Sequence, residues 1–128
     1  MAFRDAVRPA DAVLFATPEY NRSVPGVLKN AIDVGSRPYG ASVWDKKPAV
    51  VVSNSPGVIG GFGANHHLRQ SLVFLNMPAL QQPEAYVGGV NKLFADDGSI
   101  AVEATRAFLT GLMVRFAEWI EETAPKTS

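Results

Sequence analysis

Two short segments constrain this chain more than any other feature. Ala12 to Thr17 (AVLFAT) and Ala49 to Ser53 (AVVVS) are apolar without a period-two alternation. Alternation marks a strand with one wet face, whereas an uninterrupted run of this length suits a parallel strand covered on both faces. Each run gives way to a loop: Pro18-Glu19-Tyr20-Asn21-Arg22 after the first, and Asn54 to Gly63 (NSPGVIGGFG) after the second. A helical stretch follows each loop. Ser23 reads as the N-cap of a helix from about Val24 to Val34, with Pro25 in its first turn and Gly35 as its stop. The next helix runs from about Ala64 to Phe74, sets Leu68, Leu72 and Leu75 on one stripe and turns Arg69 and Gln70 away from it.

The flanking chain continues the alternation. Ala2 to Val7 reads as the tail of a helix closed by Pro9, and Ser36 to Lys47 as a surface connection. Ala79 to Val87 is a weaker extended segment, suited to an edge because Pro83 interrupts it, and Gly88 and Gly89 close it. Asp96-Asp97-Gly98 forms a turn, and the last helix starts at Ser99 or just after it, with Ala104, Phe108, Leu112, Phe116 and Ile120 at four-residue steps. The expected fold class is α/β: a three-layer α/β/α arrangement around three parallel strands. Ligands of such sheets bind at the carboxyl ends of the strands, which singles out the two loops. The segment AVLFAT is too apolar for an open edge, so a second subunit, or N-terminal elements beyond this sequence, is expected to cover it.

Composition narrows the function classes. The 128 residues suit a single domain, 1–128, with twelve basic and twelve acidic side chains and so no field to draw in nucleic acid or an anionic membrane. Without cysteine there is neither a disulfide framework nor a thiolate nucleophile. No apolar run approaches the roughly 20 residues of a membrane span, and the chain reads as soluble and cytoplasmic. His66 and His67 are neighbours on a helix, about 100° apart, so they do not chelate a metal as an i, i+4 pair would, and no metal site is expected.

At PEYNRSVPGVLKNAID (Pro18 to Asp33), followed by SRP at Ser36 to Pro38, the sequence resembles the NADPH-dependent FMN reductase family. GVIGG (Gly57 to Gly61), HLRQSLVFL (His67 to Leu75), Pro83-Glu84 and Gly88-Gly89 are similar to its chromate and quinone reductase branch. The resemblance implies a flavodoxin-like fold, non-covalent FMN, hydride from NADPH or NADH, electron transfer to a small acceptor such as a quinone or chromate, and a homodimer or homotetramer. Carried over residue by residue, it makes Pro18, Glu19, Tyr20 and Asn21 one wall of the isoalloxazine site, and Asn54, Ser55, Gly57, Gly60 and Gly61 the other. The family opens with a strand and a phosphate-binding loop that nothing here matches, so the chain corresponds to the C-terminal two thirds of such a domain. Val34 stands where relatives carry Trp, and Gly63 where the chromate-reducing branch tends to carry Arg.

The residues themselves suit that chemistry. Tyr20 offers a flat face and a hydroxyl, and Asn21 both donates and accepts at a ring edge. No protein group need act as a general base, because hydride transfer is carried by the cofactor while the protein positions and stabilises it. A glycine-rich strand exit lets backbone approach a ligand closely, although GVIGGFG has neither Rossmann nor P-loop spacing. Arg22 is a candidate for a nicotinamide-nucleotide phosphate, Arg69 and Glu84 for intersubunit contacts, and Phe116 and Trp119 for the core. The rival expectations are a catalytically silent oligomerisation module of the same family and a nucleotide-binding domain without redox activity.

Overall fold

The two apolar runs become the strands that organise the molecule. The structure, a computed structural model, describes residues 2–126. Strands β1 (Val13–Pro18) and β2 (Ala49–Asn54) pair in parallel, in register from Val13 opposite Ala49 to Pro18 opposite Asn54. The two-residue β3 (Tyr86–Val87) joins the other side of β2, giving the order β1-β2-β3. An isolated parallel bridge from Ala79 to Ala49 lets the 79–87 segment touch β2 at both ends, as befits an edge broken by a proline.

Helices α1 (Ala2–Val7), α2 (Gly26–Gly35) and α3 (Phe62–Phe74) precede α4 (Glu103–Thr123), with a single 3-10 turn at Val90–Lys92. The pleat of β2 sorts them into layers. Ala49 and Val51 pack with Phe15, with Ile32 of α2 and with Leu68, Leu72 and Leu75 along α3. Val50 points the opposite way, into Leu80, Ala85 and the Leu112 and Phe116 side chains of α4. β2 is thus covered on both faces, as its uniform apolarity requires.

β1 departs from the expectation of double cover. Phe15 and Thr17 are buried, but Leu14 is 44% exposed and Ala16 lies open beside it. α4 covers β2 and leaves these two residues bare, at the free edge of the sheet.

Three further details correct the sequence reading. Ser23 is not the N-cap of α2; Pro25 holds that position at φ −55°, without a side-chain cap. Ser23 instead exchanges two backbone hydrogen bonds with Tyr20, and its hydroxyl lies 2.9 Å from His67 Nδ1. The 36–47 connection is not wholly at the surface: Trp44, 3% exposed, donates its indole N–H to the Ile32 carbonyl at 2.9 Å and tilts against Phe3 and Phe15. Along α4 only Leu112 and Phe116 of the expected stripe are buried, with Ala104 exposed and Phe108 40% exposed. A helix of 21 residues is roughly 31 Å long and a six-residue strand roughly 20 Å, so α4 is longer than the strand it covers.

Candidate functional site

The parallel register brings the carboxyl ends of β1 and β2 side by side: Pro18 lies opposite Asn54, whose side-chain amide donates to the Thr17 carbonyl at 3.3 Å. The loops that leave these ends therefore share one rim of the sheet. The first is a tight reversal, closed by the paired Tyr20 and Ser23 backbones, with Asn21 (φ 51°) and Arg22 (φ 66°) in left-handed conformation. Asn tolerates that region; Arg adopts it only where the surroundings impose it. Tyr20 stands 60% exposed at this rim.

Glu19 is turned under the loop. Its side chain is 10% exposed, and Oε2 accepts the Ala64 amide of α3 at 3.1 Å while Oε1 takes a 3.3 Å bond from Arg22. The N-cap of α3 is Gly61, which has no side chain to offer, so this distant carboxylate satisfies an orphan donor and complements the helix dipole. The contact needs glycine at 63: a Cβ there would sit 2.6 Å from the Arg22 carbonyl oxygen and 2.8 Å from Glu19 Oε2. α3 begins two residues earlier than its apolar stripe suggested, which places Gly63 inside the helix.

The second loop, residues 55–61, is held from below and from the side. Its Ser55 amide donates to Val87 at 3.0 Å, while the Val90 and Gly89 amides donate back to Ser55 (3.1 Å) and Gly57 (3.1 Å). Gly60, at φ +64°, lies so close to β3 that a Cβ would meet the Tyr86 carbonyl carbon at 2.5 Å. Among the described residues the Val58, Ile59, Gly60 and Gly61 amides find no partner, which leaves this loop with unpaired donors. The segment 87–90 is thus a third wall of the site, and the Gly88-Gly89 pair was its signal in the sequence.

Beside this wall lies a cluster that no sequence motif announces. Phe62, His66 and Tyr86 form an aromatic group with ring centres 4.3 to 5.8 Å apart. His66 Nε2 is 2.7 Å from the Tyr86 hydroxyl, which donates to Glu84 at 2.9 Å. Because that hydroxyl gives its proton to Glu84, it accepts from His66, which fixes Nε2 as the protonated nitrogen. Burial, then the bond to Glu84 and the charge of that carboxylate, push the Tyr86 phenol up to about 12. Only the spacing 62, 66 hinted at the contact; the partners on 84 and 86 come from another element.

Of the nine residues singled out for a flavin, the structure brings Pro18, Glu19, Tyr20 and Asn21 together with Asn54, Ser55, Gly57, Gly60 and Gly61 at one end of the sheet. Their chemistry suits the ring end of FMN: an exposed phenol, a carboxamide, unpaired backbone N–H donors and glycines against which little side chain intrudes. Arg22 projects beside them, its side chain 75% exposed, and Val34 is 44% exposed on α2.

A parallel sheet sandwiched between helices, with its site built from strand exits, defines an open α/β ligand-binding domain. The family model for NADPH-dependent FMN reductase matches residues 1–92, and the chain belongs to that family. A quinone reductase of Pseudomonas putida is 66% identical over 119 residues, covering 93% of this chain and 63% of the relative. The quinone reductase of Escherichia coli K12 is 43% identical over 122 residues, 94% of this chain and 64% of its own length. The chain thus spans a little under two thirds of these relatives. Among solved structures, the flavoenzyme NAD(P)H:(acceptor) oxidoreductase FerB from Paracoccus denitrificans matches with a TM-score of 0.89 at 44% identity, over 95% of this chain and 67% of that one. The flavodoxin-like α/β class expected from the sequence is the class observed. Among the described residues no helix is long and apolar enough to cross a membrane.

Proposed function

We propose that this chain forms the flavin-ring side of an FMN-dependent NAD(P)H oxidoreductase that reduces small acceptors, quinones first and chromate second. The observation that carries the proposal is the convergence of three loops, 18–22, 55–61 and 87–90, at the carboxyl ends of three parallel strands. When bound, FMN supplies the redox chemistry, taking hydride equivalents from NADPH or NADH and releasing electrons to the acceptor. The protein's share is binding and orientation. Tyr20 offers a face and a hydroxyl to the ring, and Asn21 and Asn54 read its polar edge. Ser55, Gly57, Gly60 and Gly61 bring backbone donors close, while Pro18 and Glu19 hold the first wall against α3. The single domain 1–128 works as a dimer or tetramer of copies in the cytoplasm, as the family resemblance implies.

The test is a titration of the purified chain with FMN, following flavin fluorescence, with NADPH oxidation by benzoquinone measured in the same sample. Saturable quenching together with acceptor-dependent turnover is the expected result. Saturable quenching without turnover would favour the rival reading of a silent family module, and no quenching at millimolar FMN would sink the proposal for the chain as it stands.

A further inference from the structure

Beneath the second loop lies a polar network that the site described above does not use. Ser53 and Asn65 are both 0% exposed, a burial that polar side chains take on only when fully bonded. The direction of every bond among them follows from one residue. Arg69 is a donor only, and its Nε lies 2.8 Å from Asn65 Oδ1, so the Asn65 amide must aim its NH2 the other way. That NH2 donates to Ser53 Oγ at 3.1 Å and to the Ala85 carbonyl at 3.2 Å. With an incoming proton from Asn65, the Ser53 hydroxyl sends its own to the Gly60 carbonyl at 2.8 Å, in preference to Ala85 at 3.4 Å. The chain of bonds therefore runs one way, from Arg69 through Asn65 and Ser53 to Gly60, the residue whose left-handed backbone turns the loop into α3.

Arg69 itself is anchored by a second bond, from Nη1 to the Leu80 carbonyl at 3.1 Å, and lines a cleft of about 580 Å³ with His66, Glu84 and Trp119. It is thus tied to the 79–87 segment at one end of the relay, while the other end grips loop 55–61. A bond chain of this kind is cooperative, each donor strengthened by the one behind it, and inside a protein it is costly to leave half made.

We infer that Arg69, Asn65 and Ser53 are positioning residues for the flavin loop: they fix the Gly60 carbonyl, and so preorganise the backbone donors of residues 57–61. The inference rests on the flavin reading for its functional meaning, but its structural half stands alone. None of the three touches the rim; they act through Gly60.

The experiment combines Ser53→Ala, Arg69→Met and the double variant in the full chain, with two readouts. The first needs no flavin: hydrogen exchange of the amides that hold the loop, those of Gly89 and Val90 on the Gly57 and Ser55 carbonyls and that of Asn65 on the Gly61 carbonyl, against that of β2 and α4. Ser53→Ala is expected to speed exchange of these loop-holding amides about tenfold, the factor that one lost buried hydrogen bond of ordinary strength supplies, with β2 and α4 unchanged. Arg69→Met should do the same in part. In the double variant Arg69→Met should add nothing, because the relay is already cut below it, whereas independent structural roles would add. The second readout is FMN affinity, expected to weaken about tenfold in Ser53→Ala and no further in the double variant. Unchanged loop exchange in both single variants, or additive effects in the double, overturns the relay. If the unaltered chain fails to bind FMN, the exchange readout still decides the relay while the flavin reading falls separately. Should Ser53→Ala not fold, Arg69→Met is compared with Arg69→Lys, which keeps a donor near Asn65: loop protection restored by lysine supports the relay, and protection equally lost in both, or kept in both, overturns it.

Discussion

Replacing Gly63 with alanine sets two physical effects against each other, and the structure decides the sign. Gly63 lies in the first turn of α3, where alanine gains about 0.5–1 kcal/mol of helix propensity over glycine. Propensity alone therefore predicts a stabilised protein. The added Cβ, however, would stand 2.6 Å from the Arg22 carbonyl oxygen, when a carbon and a carbonyl oxygen rest no closer than about 3.3 Å. Loop 19–22 must recede by about 0.7 Å, and it has little room: Tyr20 and Ser23 pin it by paired bonds, and Asn21 and Arg22 already occupy the left-handed region. Overpacking against an element that cannot give costs about 1–3 kcal/mol. The net expectation is a loss of about 1–2 kcal/mol, or a fall in Tm of about 3–8 °C for a domain of this size, read by thermal unfolding. The second neighbour, Glu19 Oε2 at 2.8 Å, belongs to a side chain that can swing aside, so Glu19→Ala should not rescue the variant. FMN affinity should fall with the loop shift. A Gly63→Ala protein as stable as the original, or more so, would mean that the loop yields freely and that propensity outweighs the contact.

Two other perturbations probe separate regions of the molecule. Tyr86 should ionise near 12, above the ordinary phenol value of 10.0, because burial and Glu84 favour its neutral form. The stability this contributes is complete below pH 10 and is lost as pH rises from 10 towards 12; the phenolate absorbance difference between the protein and Tyr86→Phe should stay small through pH 10 and have its midpoint near 12, and a midpoint at or below 10 would contradict the cluster. At the sheet edge, the backbone groups of Leu14 and Ala16 point away from β2, beside an exposed leucine side chain. The chain should associate with rising concentration in sedimentation, Leu14→Lys should shift it towards monomer, and an unaltered distribution would show that the edge takes no part.

How much of this was legible in the sequence depended on whether a signal was local. The runs 12–17 and 49–53 named the parallel strands because their apolarity is continuous, and Leu68, Leu72 and Leu75 named the buried face of α3 because helical spacing repeats within one element. Ser23 misled for the same reason: its local chemistry is that of a cap, but a long-range bond to His67 and a pairing with Tyr20 prevail over it. Trp44 looked like surface because no periodicity surrounds it; its burial comes from Ile32, Phe3 and Phe15, all distant in sequence. The loops of the candidate site could be named from composition, and their juxtaposition from the parallel topology. The link from Glu19 to Ala64 and the relay from Arg69 to Gly60 could not, because each joins residues from different elements.

Those two links change how the site should be understood. Glu19 belongs to the first loop by sequence, yet it bonds to α3; Ser53 belongs to β2, yet it bonds to the second loop; and the third loop holds the second through Ser55 and Gly57. α3 therefore sits behind both walls of the rim, touching the first through Ala64 and Gly63 and the second through Asn65. A planar ligand needs those walls at a fixed separation, and a separation set by one rigid helix is preserved even where the loops are glycine-rich and entropically free. Substitutions in the first turns of α3 that leave every rim residue untouched should accordingly alter flavin affinity, measured by the same fluorescence titration, more than substitutions of Arg22, whose side chain is 75% exposed and holds Glu19 by a single 3.3 Å contact.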